Sequence, residues 1–159
     1  MAEGKTAAMF AAPFAIGAIV AGAPAPVIEA LRRFGRHTGL AFQAVDDVLG
    51  IWGDSAVTGK PAGEDLATRK MTYPVIAAIA AGDDDSARFA RAYAAPASES
   101  DDIAELARLI EATGARAATE EMARAEQRAA IEALDAAGLD EQARTCLDQY
   151  VAAAVGRVS

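Results

Sequence analysis

The chain has 159 residues, 53% of them hydrophobic, with a formal net charge of −8. That length suits one core, so a single domain over 1–159 is the expectation, and the acidic balance without clustered Lys and Arg excludes a nucleic-acid backbone binder. The single cysteine, Cys146, excludes an intramolecular disulfide, fits a reducing cytoplasm and reads as a small buried hydrophobe. Alanine is abundant, aromatics are few, and Gly and Pro cluster between apolar-periodic runs, which predicts an all-α fold of helices packed on helices.

The first helix is predicted from about Glu3 to Val20, apolar on nearly all sides, as a central helix surrounded by neighbours. Ala7 to Ala23 with Ala23-Pro24-Ala25 superficially resembles a secretory signal, but Lys5 is offset by Glu3, and Pro13 and Gly17 interrupt the run. It is also shorter than the roughly 20 residues a bilayer span needs, so no membrane span is expected. A second helix starts at Pro26, whose missing N–H is not needed in a first turn, and reaches about Ile51. Gly53 to Asp65 lacks periodicity and reads as an ordered loop whose polar residues are functional candidates.

A third helix follows from Tyr73 to Ala81, with Pro74 in its first turn and Gly82 past its end. Asp83, Asp84 and Asp85 precede another helical run, where carboxylates meet the positive end of the helix dipole; capping, not metal binding, is the reading. Ala94 to Asp102 reads as a surface loop, and Ile103, Leu106, Leu109 and Ile110 recur at helical spacing. After Gly114 comes a long Glu- and Arg-rich helix, Glu120 to Ala137, with a solvated face, then a last helix from Asp140 to Val155 that turns Leu147, Tyr150, Val151 and Val155 inward.

On the second helix Asp46 and Asp47 lie three and four residues after Gln43, so the amide and both carboxylates fall on neighbouring parts of one face. A pair of aspartates near a helix end is often merely solvated. The residues around this pair carry more: Phe42-Gln43-Ala44-Val45-Asp46-Asp47-Val48-Leu49-Gly50 leads into Gly53-Asp54, Thr58-Gly59-Lys60-Pro61, Asp65-Leu66 and Lys70-Met71-Thr72-Tyr73-Pro74. This run resembles the second aspartate-rich motif and following loop of the trans-polyprenyl diphosphate synthases, the family that makes farnesyl, geranylgeranyl and longer diphosphates. Gly4-Lys5-Thr6-Ala7-Ala8 is similar to that family's Lys-Thr pair, and a weaker resemblance runs through Gly114 to the end near Arg157.

The resemblance implies a helical bundle like the C-terminal half of the type I isoprenoid synthase fold. It further implies a magnesium-dependent prenyltransferase acting on isopentenyl diphosphate and an allylic diphosphate. Ionising an allylic diphosphate leaves pyrophosphate and a delocalised carbocation, a task for concentrated cationic charge at one end and excluded water at the other. Magnesium, bound by a few carboxylates and by substrate phosphates, suits it. By resemblance Asp46 and Asp47 are the metal ligands, Lys5, Lys60 and Lys70 contact the diphosphate, and Thr6 and Gln43 face the developing cation or assist proton removal.

Two departures from the family pattern shape the expectation. The last motif position, often a third aspartate, is Gly50, which points to altered metal binding; Asp54 either contributes through water or organises the Gly53 turn. The family's first aspartate-rich motif and its nearby arginines have no counterpart in the sequence. The leading expectation is therefore a cytoplasmic subunit completed by a second chain, within a higher oligomer. A non-catalytic regulatory or diphosphate-binding partner of a full-length synthase, a truncation product and a terpene cyclase are the alternatives. His37, Trp52 and Met71 are expected to have no chemical role, since no second histidine or neighbouring cysteine supports a zinc site.

Overall fold

A computed structural model describes residues 3–59, 61–95 and 103–156, and among them every regular element is a helix. A π-helical turn, Glu3–Ala7, leads into α1 (Ala8–Val20). Then come α2 (Ala25–Trp52), the short α3 (Ser55–Thr58) and α4 (Glu64–Ala67), α5 (Tyr73–Ala80), α6 (Asp84–Ala94), α7 (Ile103–Ala112), α8 (Ala115–Ala137) and α9 (Glu141–Val155). The chain divides into two compact units, one formed by Met1–Val45 and Met122–Ser159, the other by Asp46–Glu121. Helix α2 starts in the first unit and ends in the second.

In the first unit α1 lies against α2 at small residues. A Cβ on Gly35 would stand 2.5 Å from the Phe10 carbonyl oxygen, and one on Gly39 would stand 2.9 Å from Phe10 Cβ. Glycines at i and i+4 share a helix face, so this pair opens one strip of α2 to the backbone of α1. Phe10 and Phe14 then reach past it, Phe10 to Phe42 with ring centroids 5.2 Å apart and Phe14 edge-on to Phe34 at 4.9 Å. Phe34 is fully buried among Ala130, Ala133, Leu134 and Val151 of α8 and α9. Thr38, also fully buried, satisfies its hydroxyl by donating to the Phe34 carbonyl at 2.8 Å.

The second unit packs Ile51, Leu66, Val75, Ala78, Phe89, Tyr93, Leu106, Leu109 and Ile110 into its own core. Its helix starts follow the sequence signals. Asp83 Oδ1 accepts from the Ser86 N–H at 2.7 Å, so the aspartate run does cap α6, and Asp54 Oδ1 accepts from Ala56 N at 2.8 Å to start α3. The stretch read as a loop from Gly53 to Asp65 thus carries a capped turn and the start of α4, too short for periodicity to reveal. Gly82 takes φ +76° just beyond α5, as expected of a residue after a helix end.

Three expectations are corrected. Helix α1 is not enclosed on all sides: Ala18 is buried, while Met9, Ile16, Ile19 and Val20 are 58–82% exposed, because the described chain supplies neighbours along one side only. Cys146 is exposed rather than buried, and Tyr150 is 43% exposed rather than turned inward. Both precede a residue of the inner face, Leu147 or Val151, by one position, which rotates a side chain by about 100° around the helix. Tyr150 keeps a ring-edge contact with Phe14 at 5.5 Å. The surface loop placed at Ala94 to Asp102 lies largely outside the described residues.

Candidate functional site

The two aspartates at the end of α2 have different surroundings. Asp46 is exposed. Asp47 is 7% exposed, and its Oδ2 accepts from the Tyr73 N–H at 2.9 Å. Tyr73 is the first residue of α5, its amide is one of the donors a helix leaves without an internal partner, and Thr72 before it makes no side-chain cap. Asp47 therefore caps α5 from another helix, placing a carboxylate where the helix dipole is positive.

Between α4 and α5 the chain folds into a tight clasp. Lys70 N donates to the Asp65 carbonyl at 3.0 Å, Thr72 N to the Lys70 carbonyl at 3.0 Å, and the Lys70 ammonium pairs with Asp65 Oδ1. From α6, Tyr93 Oη donates to the Lys70 carbonyl at 2.7 Å. Arg69, between them, adopts φ +52° and sets its guanidinium over the Tyr93 ring at 5.2 Å. A non-glycine residue in that left-handed region costs about 1 kcal/mol or more, which the surrounding bonds offset. The Asp65 hydrogen bond raises the Lys70 pKa above the ordinary lysine value; desolvation opposes this, and the charges of Asp65, Glu64 and Asp46 add to it.

Burial pushes the Tyr93 phenol up to about 12, with the Arg69 charge acting in the opposite direction. The folded chain holds this proton more tightly than the unfolded one, whose tyrosine titrates near 10. The contribution to stability is complete below about pH 10 and is lost as pH rises through about 12, a change on the order of 2 kcal/mol. Urea denaturation at stepped alkaline pH should show a steeper stability loss for the native chain than for Tyr93→Phe; parallel curves would contradict this account.

Gly50, at the last motif position, lies in the last turn of α2 and faces the same clasp. A Cβ there would stand 2.7 Å from Asp65 Cγ and closer still to Asp65 Oδ2. Asp65 itself is 7% exposed. In the first unit Thr6 Oγ1 donates to Gln43 Oε1 at 2.8 Å across the packing of the N-terminal turn on α2, and Lys5 is exposed on that turn. Lys60 lies outside the described residues.

The structure thus joins Thr6 with Gln43, and Asp47 with the start of α5, while the charge of Asp46 reaches Lys70. Asp65 falls within the family-like run with no sign there of its task, and Tyr93 is marked in the sequence only by helical spacing on α6. His37 Nδ1 meets Glu126 Oε2 at 2.7 Å, Trp52 packs beside the second core with Arg116 above its ring at 5.5 Å, and Met71 is exposed. Among the described residues no three His, Cys, Asp or Glu side chains converge as a metal cage. Magnesium fits Asp46 and Asp47 only as an ion shared with phosphate and water oxygens, because one Asp47 oxygen already accepts from the backbone.

The described residues are all-helical in their regular elements, and by its likeness to solved polyprenyl synthases the chain has the all-α isoprenoid synthase fold. The sequence profile described as Polyprenyl synthetase matches residues 1–110, and the chain belongs to that family. It is 46% identical over 135 residues to the geranylgeranyl diphosphate synthase of Mycobacterium tuberculosis (strain ATCC 25618 / H37Rv), covering 84% of this chain and 39% of that relative. The crystal structure of a polyprenyl synthetase from Streptomyces coelicolor A3(2) superposes with a TM-score of 0.90 at 42% identity, over 95% of this chain and 47% of that one. A geranylgeranyl pyrophosphate synthase from Corynebacterium glutamicum, complexed with isoprenyl diphosphate and magnesium, gives 0.88 at 34% identity, over 98% of this chain and 45% of its own. The chain spans less than half the length of each of these relatives. No helix among the described residues is long and apolar enough to cross a membrane.

Proposed function

We propose that this chain forms one part of a magnesium-dependent prenyltransferase that joins isopentenyl diphosphate to an allylic diphosphate, and that a second chain with the first aspartate-rich motif completes it. The observation that carries the reading is the exposed Asp46 carboxylate, in the same unit as the clasped Lys70, within the stretch matched by the family. The exposed apolar side chains of α1, Met9, Ile16, Ile19 and Val20, support a missing neighbour, since exposed apolar patches mark protein contact surfaces. A cytoplasmic location and a higher oligomer belong to the same reading.

In the reaction the allylic C–O bond breaks with its electron pair leaving on the diphosphate. The allylic carbon then bonds to the terminal alkene carbon of isopentenyl diphosphate, and a proton is lost from the adduct. Magnesium, when bound, supplies positive charge to the leaving diphosphate. Asp46 and Asp47 hold that charge from the protein side, and Lys70, Lys60 and Lys5 are the point charges for phosphate oxygens. The Thr6 hydroxyl, directing its hydrogen to Gln43, offers its oxygen lone pairs as a dipole suited to a developing cation.

Gly50 at the last motif position, where the family often has a third aspartate, supports a second reading, a diphosphate-binding or regulatory partner of a full-length synthase. The two are separated by mixing the chain with a polypeptide carrying the first motif, isopentenyl diphosphate, an allylic diphosphate and magnesium. A longer prenyl diphosphate is expected from the mixture and none from either chain alone. Elongation by this chain unaided would sink the two-chain reading, and an inactive mixture that still binds magnesium pyrophosphate would leave the regulatory one.

A further inference from the structure

We propose that Tyr93 of α6 is a positioning residue for the diphosphate site: donating its phenol hydrogen to the Lys70 carbonyl, it fixes the turn that sets the Lys70 ammonium relative to the Asp47 carboxylate. This role rests on the reading of Asp47 and Lys70 as magnesium-diphosphate groups.

Lys70 lies between α4 and α5, where no helix holds its backbone. Its turn is tied at both ends by other elements instead. From α6, Tyr93 Oη donates to the Lys70 carbonyl at 2.7 Å, and at the far end the Tyr73 N–H donates to Asp47 Oδ2 of α2 at 2.9 Å. The short segment from Lys70 to Tyr73 therefore joins the lysine to the acidic pair, and a shift of its first residue changes the spacing of ammonium and carboxylate. Arg69, immediately before, stands at φ +52°, a region that residues with side chains seldom occupy, so this backbone relaxes unless it is held.

Packing does not explain the hydroxyl. Phe89, one turn earlier on α6, is fully buried, stacks on Tyr93 with ring centroids 5.2 Å apart and fills the same core with a plain ring. Nor does the carbonyl need it, since the Lys70 oxygen already accepts from the Thr72 N–H at 3.0 Å. A buried phenol must be desolvated, and what its hydrogen bond adds here is a fixed place for Lys70. The Lys70 side chain is 53% exposed, so with its backbone anchored and its ammonium paired with Asp65, one side stays open to an anion. Anchoring beforehand lowers the ordering cost that binding a phosphate otherwise carries.

Tyr93→Phe keeps the ring and deletes the donor. On the full chain, titration calorimetry with magnesium and inorganic pyrophosphate should show affinity falling about tenfold, the size seen when a supporting partner of a binding group is lost. In Lys70→Ala, which binds more weakly but retains the backbone carbonyl at position 70, the same change should lower affinity by less than about twofold, while the drop in melting temperature is equal on both backgrounds. A para-aminophenylalanine at position 93, whose amine can donate as the phenol does, should recover most of the lost affinity. On the native chain, with Tyr93 untouched, magnesium pyrophosphate should slow hydrogen exchange at the Thr72 amide, which shares its acceptor with Tyr93, because a bond that favours binding is favoured by it in return. An equal fall in affinity on both backgrounds, no fall in folded Tyr93→Phe, or unchanged Thr72 exchange in a chain that takes up pyrophosphate would overturn the proposal alone. Absence of uptake by the native chain, or indifference to Lys70→Ala, would overturn the site reading and this proposal with it.

Discussion

Asp46→Ala should leave the stability of the chain within about 0.5 kcal/mol of its starting value and lower elongation by the completed complex by about 100-fold or more. The stability expectation follows from exposure: Asp46 lies at the surface. The activity expectation follows from its place, an open carboxylate whose charge already reaches Lys70. Asp47→Ala behaves differently. Removing a 7% exposed carboxylate leaves the Tyr73 amide without its 2.9 Å acceptor, a cost of about 1–3 kcal/mol, so this variant loses stability and activity together. Melting temperature and initial elongation rate, measured on both variants, check the contrast. Equal melting losses would show that the environments of the two aspartates do not differ as described, and an active Asp46→Ala complex would remove this residue from the chemistry.

Phe34→Ala should destabilise the first unit by about 3–5 kcal/mol, the range for deleting a buried aromatic ring. Phe34 is fully buried against Ala130, Ala133, Leu134 and Val151, and Phe14 meets its ring edge-on at 4.9 Å. These partners sit on α1, α8 and α9, so relaxation into the void would require several helices to move together, which keeps the cost at the high end. With a urea dependence of about 1–3 kcal/mol per molar, the denaturation midpoint should fall by at least about 1 M. A shift worth less than about 1 kcal/mol would mean that this core is loosely packed. Because Phe34 is part of neither the acidic pair nor the clasp, any activity that survives in folded Phe34→Ala should keep its dependence on magnesium.

Much of the fold was legible in the chain itself. Helix periodicity, Pro26 and Pro74 in first turns, Gly82 after a helix end and Asp83 before a helix start all concern bonds made within a few residues, so neighbours in sequence suffice to specify them. The family was legible too, because its motif joins fixed positions from Gln43 to Pro74. The exposed apolar side of α1, the exposed Cys146 and the outward Tyr150 were not. Apolar composition states what a side chain prefers, while burial depends on which neighbours the rest of the chain brings.

The candidate site divides along the same line. Sequence spacing put Asp46 and Asp47 on one part of α2, and the family resemblance singled out Lys70 as an expected phosphate contact. Tertiary structure decided that Asp47 caps α5 while Asp46 stays open, that Gly50 makes room for Asp65, and that Tyr93 from α6 ties down the backbone carrying Lys70. Each of these depends on an approach between residues 15 to 26 positions apart, such as Gly50 with Asp65 or Asp47 with Tyr73. Helical spacing determines which side chains share a face; what meets that face is set only when the helices pack.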